Sequence, residues 1–299
     1  MINTKEYNYF QIDKLLATLI FLVVFSYVPT CLAFNETMPV ANSIDKSVQS
    51  KGDINHFVSS DKVTSLLAGP DSYMMIINKN NHVVNNGVMV LIPDWEQAVI
   101  HPKASHFLQN IFPQNGWTTI AVLPPNKPKN YPSMALDKKQ QIEENEVALS
   151  LYTKKLTVLV QAMIKKARTY PGSIFIVSQG NNAIIIADIL ALNERSDESF
   201  SVDGLILLSS YLYSDENNIN KVNTEYANRL AHTDLPILDL ALKYDHLIAQ
   251  TKAQERKILA KRERKVFYRH RKINNTVAGV YPEKDLISQI KRWLVSIGW

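Results

Sequence analysis

Short apolar runs alternate with amphipathic stretches along most of the chain. The runs are rich in β-branched residues and predict buried strands, and the longer stretches with a helical period predict helices between them. Because the central runs are apolar throughout, they fit a parallel sheet that helices cover on both faces. The pattern therefore predicts an α/β domain over residues 69–299, with a mostly parallel sheet. The predicted strands are SYMMII from Ser72, GVMVLIP from Gly87, WTTIAVLP from Trp117, SIFIVS from Ser173, VDGLILLS from Val202, DLPILDLAL from Asp234 and KVFYRHRKI from Lys265.

The N-terminus has a different pattern. An uncharged apolar run begins at Leu15, directly after Lys14, and ends at Val28. The small residues Cys31 and Ala33 follow it, as at the cleavage site of a secretory signal peptide. The run is short of the roughly 20 residues that span a bilayer. Residues 1–33 are therefore predicted to be a signal peptide, and the protein to be exported to the periplasm or secreted; the alternative is an inner-membrane anchor formed by residues 15–28.

Composition adds two expectations about the exported form. Cys31 is the only cysteine, so a chain cleaved after Ala33 would hold no disulfide, thiol nucleophile or cysteine-bound metal. Residues 34–68 are rich in Ser, Asn, Asp and Lys and lack a clear period. They are predicted to form a flexible leader with at most one short helix.

One strand-to-helix junction carries a chemical signal. After SIFIVS the chain reads Ser178-Gln179-Gly180-Asn181-Asn182 and continues into an apolar helical stretch. Many hydrolases present a nucleophile on such a sharp turn, with small residues on either side of it. Ser178, Gly180 and Asn182 have the required small size, but glycine has no side chain that could attack a substrate. Glycine does tolerate a positive φ, so the turn geometry is expected to persist without the nucleophile.

Several segments in a fixed order resemble one family. They are GVMVLIPDWEQ, NGWTTIAVLP, VSQGNNA, LPILDL and LISQIKRWL. Over about residues 72–294 the chain resembles an exported bacterial α/β-hydrolase-like family of unknown function, DUF3530. The resemblance implies an α/β-hydrolase-like fold and an exported location, and it implies no particular reaction.

The resemblance also assigns the three positions of a hydrolase triad. Gly180 stands at the nucleophile position and Asp245 at the acid position, nine residues after Pro236. The base position falls in the loop NNTVAG, where Thr276 stands, and no histidine follows His270. Since nucleophile and base must lie within hydrogen-bond reach, the triad is predicted to be degenerate and the protein inactive. The alternative is an esterase-type serine hydrolase with a displaced nucleophile such as Ser178.

Four residues are candidates for binding a ligand. Asp94 and Trp95 occur where the donors of an oxyanion hole usually originate, and Asn181 and Asn182 open the helix after the turn. Helix N-termini bind anions readily, so these residues predict a pocket for a small anionic or lipid-like ligand. His101 and His106 could join Asp94 around a metal, but a spacing of five places the two histidines poorly on one helical face. No metal and no cofactor are predicted.

The charge of the chain is concentrated in one segment. Residues 252–272, from Lys252 to Lys272, contain ten Lys and Arg against two Glu, whereas the whole chain has a formal net charge of +5. This segment predicts contact with an anionic membrane surface. The alternative is a solvated amphipathic helix beside an edge strand, and an exported protein is not expected to bind nucleic acid.

Further polar residues are predicted to have structural roles. Asp239 lies inside an apolar strand and needs a partner, either backbone N–H groups or a basic residue of the segment 252–272. His246 is expected at a helix start, and Ser209 and Ser210 are expected as turn residues. The proline-rich stretch from Pro124 to Pro132 predicts either a lid over the sheet or a spacer before the next helix.

Overall fold

The computed structural model describes residues 46–95, 97–100, 103–214 and 219–299. The predicted signal peptide, its alternative as an anchor and residues 34–45 of the predicted leader lie outside the described residues. So does His101, one of the weighed metal ligands.

Eight strands form one sheet in the order β1-β2-β4-β3-β5-β6-β7-β8. The two pairings of β2 are antiparallel, and all pairings from β4 to β8 are parallel. The predicted mostly parallel sheet is therefore confirmed. The strands are β1 (Val63–Ala68), β2 (Asp71–Asn78), β3 (Gly87–Ile92), β4 (Trp117–Val122), β5 (Ser173–Gln179), β6 (Gly204–Leu208), β7 (Ile237–Leu242) and β8 (Tyr268–Ile273).

Seven α-helices in the described residues accompany the sheet. They are α1 (Lys46–Phe57), α2 (Ala104–Ile111), α3 (Lys138–Ala167), α4 (Gly180–Asn193), α5 (Ile219–Ala231), α6 (Leu247–Arg262) and α7 (Glu283–Ser296). One apolar core joins α3, α4 and α5 to one face of the sheet, and a second joins α1, α2 and α7 to the other. Helix α6 packs beside α5. By length and composition alone α3 could cross a membrane, but its buried apolar residues belong to the first core.

The central strands lack a polar face because both of their faces are covered. In β3, Val88 and Val90 enter the core under α3 and α4, whereas Met89 and Leu91 enter the core under α2 and α7. Alternation between polar and apolar residues is lost when helices pack on both sides of a strand. The uninterrupted apolar runs in the sequence therefore reflect a sheet buried between two helical layers.

The predicted leader is partly folded. Helix α1 and strand β1 both lie within residues 34–68, and β1 pairs with β2 from Val63↔Ile76 to Ala68↔Asp71. Ile54 of α1 is fully buried in the second core. The sheet domain thus begins before residue 69, and the boundary expected there is wrong for residues 46–68. Strand β1 is an edge strand with exposed residues such as Leu67, so its sequence lacks the long apolar run of the inner strands.

Candidate functional site

The turn between β5 and α4 lies at the carboxyl edge of the sheet, near its centre. Strand β5 ends at Gln179, and α4 begins at Gly180, whose φ is +59°. A side chain is strained in this left-handed conformation, so the expected role of glycine in the turn is confirmed.

The space beside Gly180 is filled by another residue of the chain. A Cβ at position 180 would lie 2.3 Å from Oδ2 and 2.6 Å from Cγ of Asp94. Asp94 comes from the loop after β3, and its carboxylate therefore occupies the place where a nucleophile side chain would project. Gly180 and Asp94 are complementary, since a larger residue at either position would displace the other.

The same carboxylate accepts two backbone hydrogen bonds. Oδ1 of Asp94 accepts the N–H of Trp95 at 2.9 Å and the N–H of Asn181 at 3.1 Å. Oδ2 accepts the side-chain amide of Asn181 at 3.1 Å. In α/β hydrolases the N–H after the nucleophile and an N–H from the loop after β3 form the oxyanion hole. Here both donors already bind the carboxylate of the chain itself.

Burial controls the titration of this carboxylate. It raises the pKa of Asp94 from 3.8 to about 6, and the hydrogen bonds from Trp95 and Asn181 limit the rise. Asp94 is therefore mainly ionised at neutral pH and becomes protonated in mildly acidic solution.

The four predicted ligand residues come together, but their polar groups bind one another and neighbouring loops. Oδ1 of Asn181 accepts the N–H of Tyr213 at 2.8 Å. Nδ2 of Asn182 donates to the carbonyl of Pro93 at 2.8 Å, and its Oδ1 accepts the hydroxyl of Tyr152 at 2.7 Å. These hydrogen bonds form a closed network. The anion bound at the start of α4 is the carboxylate of Asp94. Binding of an external anion at these residues remains a prediction.

Trp95 is buried beside two tyrosines of the same region. Its ring packs edge-on against those of Tyr131 and Tyr152, with centroids 5.8 Å and 5.3 Å away. Tyr152 is not among the predicted site residues, although it lies on the buried side of a long helix with Leu156 and Leu159. That helical spacing could have marked it as a core residue, but nothing in the sequence indicated its bond to Asn182.

The acid position is filled, but within the described ranges no histidine ring is hydrogen-bonded to its carboxylate. Oδ1 of Asp245 accepts the backbone N–H of His246 at 2.8 Å. Burial raises the pKa of Asp245, opposed by hydrogen bonds from Ser209 and His246. His246 is the N-cap of α6, as expected, and its ring stacks on Tyr211 with centroids 5.0 Å apart.

The loop that contains the predicted base position has a tyrosine side chain that is buried in the protein interior. Thr276 is exposed, whereas Tyr281 of the same loop is buried. The Tyr281 hydroxyl donates to the carbonyl of Leu240 at 2.9 Å and lies 2.7 Å from Oγ of Ser209. No sequence signal marks Tyr281, because histidine is the residue type expected to act as the base in this loop.

Ser178, the candidate displaced nucleophile, is buried within the sheet. Its hydroxyl donates to the carbonyl of Ile92 at 3.0 Å, and among the described residues no imidazole is bonded to it. Ser209, with a φ of +48°, and Ser210 follow β6 as expected of turn residues.

Of the two histidines considered as metal ligands, only His106 lies within the described residues, and it contacts an asparagine. Nε2 of His106 lies 3.1 Å from Nδ2 of Asn110, one turn further along α2. The described ranges contain no group of three or more His, Cys, Asp or Glu side chains arranged to hold a metal ion.

Asp239 is paired with a basic residue of the segment 252–272. Arg256 donates from Nε to Oδ2 at 2.7 Å and from Nη2 to Oδ1 at 3.0 Å, and both side chains are almost fully buried. Tyr268 donates a third hydrogen bond to Oδ2 at 2.6 Å. The expected structural role of Asp239 is thereby confirmed.

Several other basic residues of the segment also have internal partners. Lys252 is buried and lies 2.6 Å from Glu255, and Lys265 donates to the carbonyl of Thr233. The remaining part, called here the basic edge surface, has exposed cations on α6, on the outer strand β8 and between them, and it also exposes the apolar residues Ile258, Val266 and Phe267. Its exposed cations are Lys257, Lys261, Arg262, Arg264, Arg271 and Lys272.

The strand order and the sharp turn between β5 and α4 define an α/β-hydrolase fold. A family model described as "Protein of unknown function (DUF3530)" matches residues 35–296, and the chain belongs to this family. A search of the curated proteins finds no match.

Solved structures with the same fold include several hydrolases. A proposed dienelactone hydrolase from Klebsiella pneumoniae has a TM-score of 0.52 at 12% identity, covering 78% of this chain and 95% of its own. Esterase 2 from Thermogutta terrifontis has a TM-score of 0.53 at 11% identity, covering 80% and 96%. A serine hydrolase without a lid from Xanthomonas campestris has a TM-score of 0.51 at 9% identity, covering 79% and 94%. At these identities the similarity concerns the fold alone.

Proposed function

We propose that this protein is an exported, catalytically inactive α/β-hydrolase-fold protein that binds an anionic or lipid-like ligand or a partner in the cell envelope. The observation that carries the proposal is the position of Asp94. Its carboxylate fills the nucleophile position at Gly180 and accepts the N–H groups of Trp95 and Asn181.

The chemistry of ester hydrolysis explains why this arrangement is inactive. An attacking hydroxyl or thiol is needed at the turn, together with donors that stabilise the developing oxyanion. Gly180 offers no attacking atom, and the negative Asp94 would repel an oxyanion from the two backbone donors. Thr276 at the base position is exposed and cannot accept a proton as an imidazole does.

The alternative is an esterase with a displaced nucleophile, as the hydrolases of similar fold suggest. Ser178 would be its nucleophile, but a serine hydroxyl must donate to a base before it can attack. The Ser178 hydroxyl donates instead to the carbonyl of Ile92, which cannot take up the proton. This contact favours the inactive protein over the esterase.

Labelling with a fluorophosphonate probe, together with turnover of short p-nitrophenyl esters, tests the proposal. The wild type and the Ser178→Ala variant are both expected to remain unlabelled and to hydrolyse the esters no faster than buffer. Ser209→Ala serves as the matched control, since Ser209 is another serine at a strand end. Labelling of the wild type that disappears only in Ser178→Ala would establish the esterase instead.

A further inference from the structure

A cavity of about 910 Å³ lies at the carboxyl edge of β4. Its walls are the N-terminal half of α3, the start of β2 and the proline-rich loop of residues 124–130. Ligands of open α/β sheets bind outside the carboxyl ends of the strands, and this volume lies in the usual range of small-molecule sites. Most of the proline-rich stretch from Pro124 to Pro132, for which the sequence predicts either a lid or a spacer, therefore forms one wall of a cavity.

The cavity has an apolar side that no other part of the described chain covers. Val147 and Leu151, one turn apart on α3, line it and are 55% and 58% exposed. Met74, Leu123 and the prolines of the loop lie on the other walls. Apolar side chains left exposed in a concave site usually mark a place where a ligand is bound.

Cations on different elements also line the cavity. Lys51 comes from α1, Lys127 and Lys129 from the loop and Lys155 from α3. Lys155 lies 3.5 Å from Asp71, which also accepts the hydroxyl of Tyr73, so its charge is already balanced. Neither Lys51 nor Lys129 has an ion pair among the described residues.

Most acidic side chains that line the cavity also have partners within the protein. Glu144 accepts hydrogen bonds from Ser133 and Gln140, and Asp71 is paired with Lys155. Glu143 is the remaining acidic side chain of the lining. The lining thus has four lysines and three acidic side chains, and Lys51 and Lys129 are outside the ion pairs of the described residues, which favours an anionic head group.

We propose that this cavity binds a single-chain amphiphile with an anionic head group, as found in fatty acids and lysophospholipids. The acyl chain would lie along Val147 and Leu151, and the head group would reach Lys51 and Lys129. This assignment deepens the binding role of the proposed function by naming its site and ligand class. It separates the ligand site from the turn, whose donors Asp94 already occupies.

Displacement of a fluorescent fatty acid, cis-parinaric acid, from the full chain tests the apolar part of the proposal. Leu151→Gln places a neutral polar group on the cavity wall at an exposed position, where the fold should tolerate it. This variant is expected to weaken binding about tenfold or more, the loss of roughly 1.4 kcal/mol. Leu192→Gln is the matched control, because Leu192 is 66% exposed on α4 outside the lining and its replacement should change nothing. Equal binding by Leu151→Gln and the wild type would overturn the assignment.

The head-group preference is tested by competitors that differ only in charge. The variant Lys51→Ala/Lys129→Ala is expected to weaken displacement by oleate about fivefold while leaving displacement by oleyl alcohol unchanged. The control Lys154→Ala/Lys165→Ala removes two exposed lysines of α3 that do not line the cavity. An equal loss for acid and alcohol, or no loss for either, would overturn the role of the lysines.

A comparison of oleate with lysophosphatidylglycerol separates the two sources of the ligand chemistry. Stronger displacement by oleate supports a free fatty acid, and stronger displacement by the lysophospholipid supports a membrane-derived lipid. Displacement by neither overturns the proposal. That outcome would leave the absence of catalysis intact, because fluorophosphonate labelling tests it separately.

Discussion

At the scale of single residues, one glycine and one aspartate define the centre of the molecule. Gly180 leaves the space that the Asp94 carboxylate enters, and the backbone N–H groups of Trp95 and Asn181 hold the carboxylate there. A buried carboxylate without such donors would be costly, so these two N–H groups stabilise the ionised form of Asp94.

Gly180→Ala should destabilise the protein in two ways. The φ of +59° disfavours any side chain, and the new Cβ would lie 2.3 Å from Asp94 Oδ2. We expect the free energy of unfolding to fall by about 1–3 kcal/mol in a denaturant titration. Gly279→Ala is the control, since Gly279 has a φ of +70° and nothing within 4 Å, so it incurs only the backbone strain. A smaller loss at position 180 than at position 279 would contradict the contact with Asp94.

The pH dependence of stability should report Asp94. Its pKa is raised from 3.8 to about 6 by burial, so the folded state binds a proton more tightly than the unfolded state. Its contribution is therefore greatest below pH 4 and decreases as the pH rises through about 6. Relative to Asp94→Asn, the wild type should lose roughly 3 kcal/mol of unfolding free energy between those limits. If the stabilities of the two proteins changed with pH in parallel, the pKa of Asp94 would not be raised by folding.

At the scale of elements, helix α6 is joined to β7 by a buried ion pair. Arg256 binds both oxygens of Asp239 and also donates to the carbonyl of Ser210 at 2.9 Å. The basic segment 252–272 therefore has a structural role in part, and the charge of the segment alone does not predict that role. Its exposed remainder is the basic edge surface.

Removing one member of this pair should be severe. Arg256→Leu leaves the Asp239 carboxylate buried without its cation, and we expect a loss of about 3–5 kcal/mol in unfolding free energy. The double variant Asp239→Leu/Arg256→Leu should recover much of that loss, because no charge remains buried. Lys257→Leu is the control at the exposed neighbour. If Arg256→Leu proved no worse than Lys257→Leu, the ion pair would not bear on stability.

The basic edge surface is proposed to contact anionic membranes. It combines exposed cations with the exposed apolar residues Val266, which is 81% exposed, and Phe267, so electrostatic attraction and apolar insertion would act together. We expect sedimentation with phosphatidylglycerol vesicles at low salt, little with phosphatidylcholine vesicles, and loss of binding at high salt.

Reversing three of these charges should remove that binding. The variant Lys257→Glu/Lys261→Glu/Arg264→Glu is compared with Lys139→Glu/Lys154→Glu/Lys165→Glu, which makes the same change in net charge at exposed lysines of α3. Only the first variant should lose binding. Equal losses would indicate that net charge, not this surface, attracts the vesicles.

At the scale of the whole molecule, the sheet is built from a longer part of the chain than its apolar runs mark. Strand β1 and helix α1 complete the domain on its N-terminal side. The segments before them remain predictions, with a signal peptide over residues 1–33.

Export is tested by the mass of the protein recovered from the periplasm or medium of a bacterial host. We expect a chain that begins at Phe34 and lacks Cys31, so that a thiol reagent adds no mass. Recovery of the full-length chain from the inner membrane would instead support an anchor formed by residues 15–28.

The sequence by itself determined the class of fold and the glycine at position 180 of the turn. Buried strands, a sharp turn with small residues and the lack of a histidine after His270 are local features that can be read along the chain. The need of Asp239 for a partner also follows locally, because an isolated charge in an apolar strand is costly. The strands from β2 to β8 therefore lie where the apolar runs predict them.

Only the tertiary structure decided which side chain fills the space beside Gly180. Asp94 and Asn181 are 87 residues apart, and they meet because β3 and β5 are neighbours in the sheet. The bonds of Tyr281 with Ser209 and of Tyr152 with Asn182 likewise join distant segments. Local patterns specify which residues are buried, but the alignment of neighbouring strands and the packing of helices on them determine which buried groups touch.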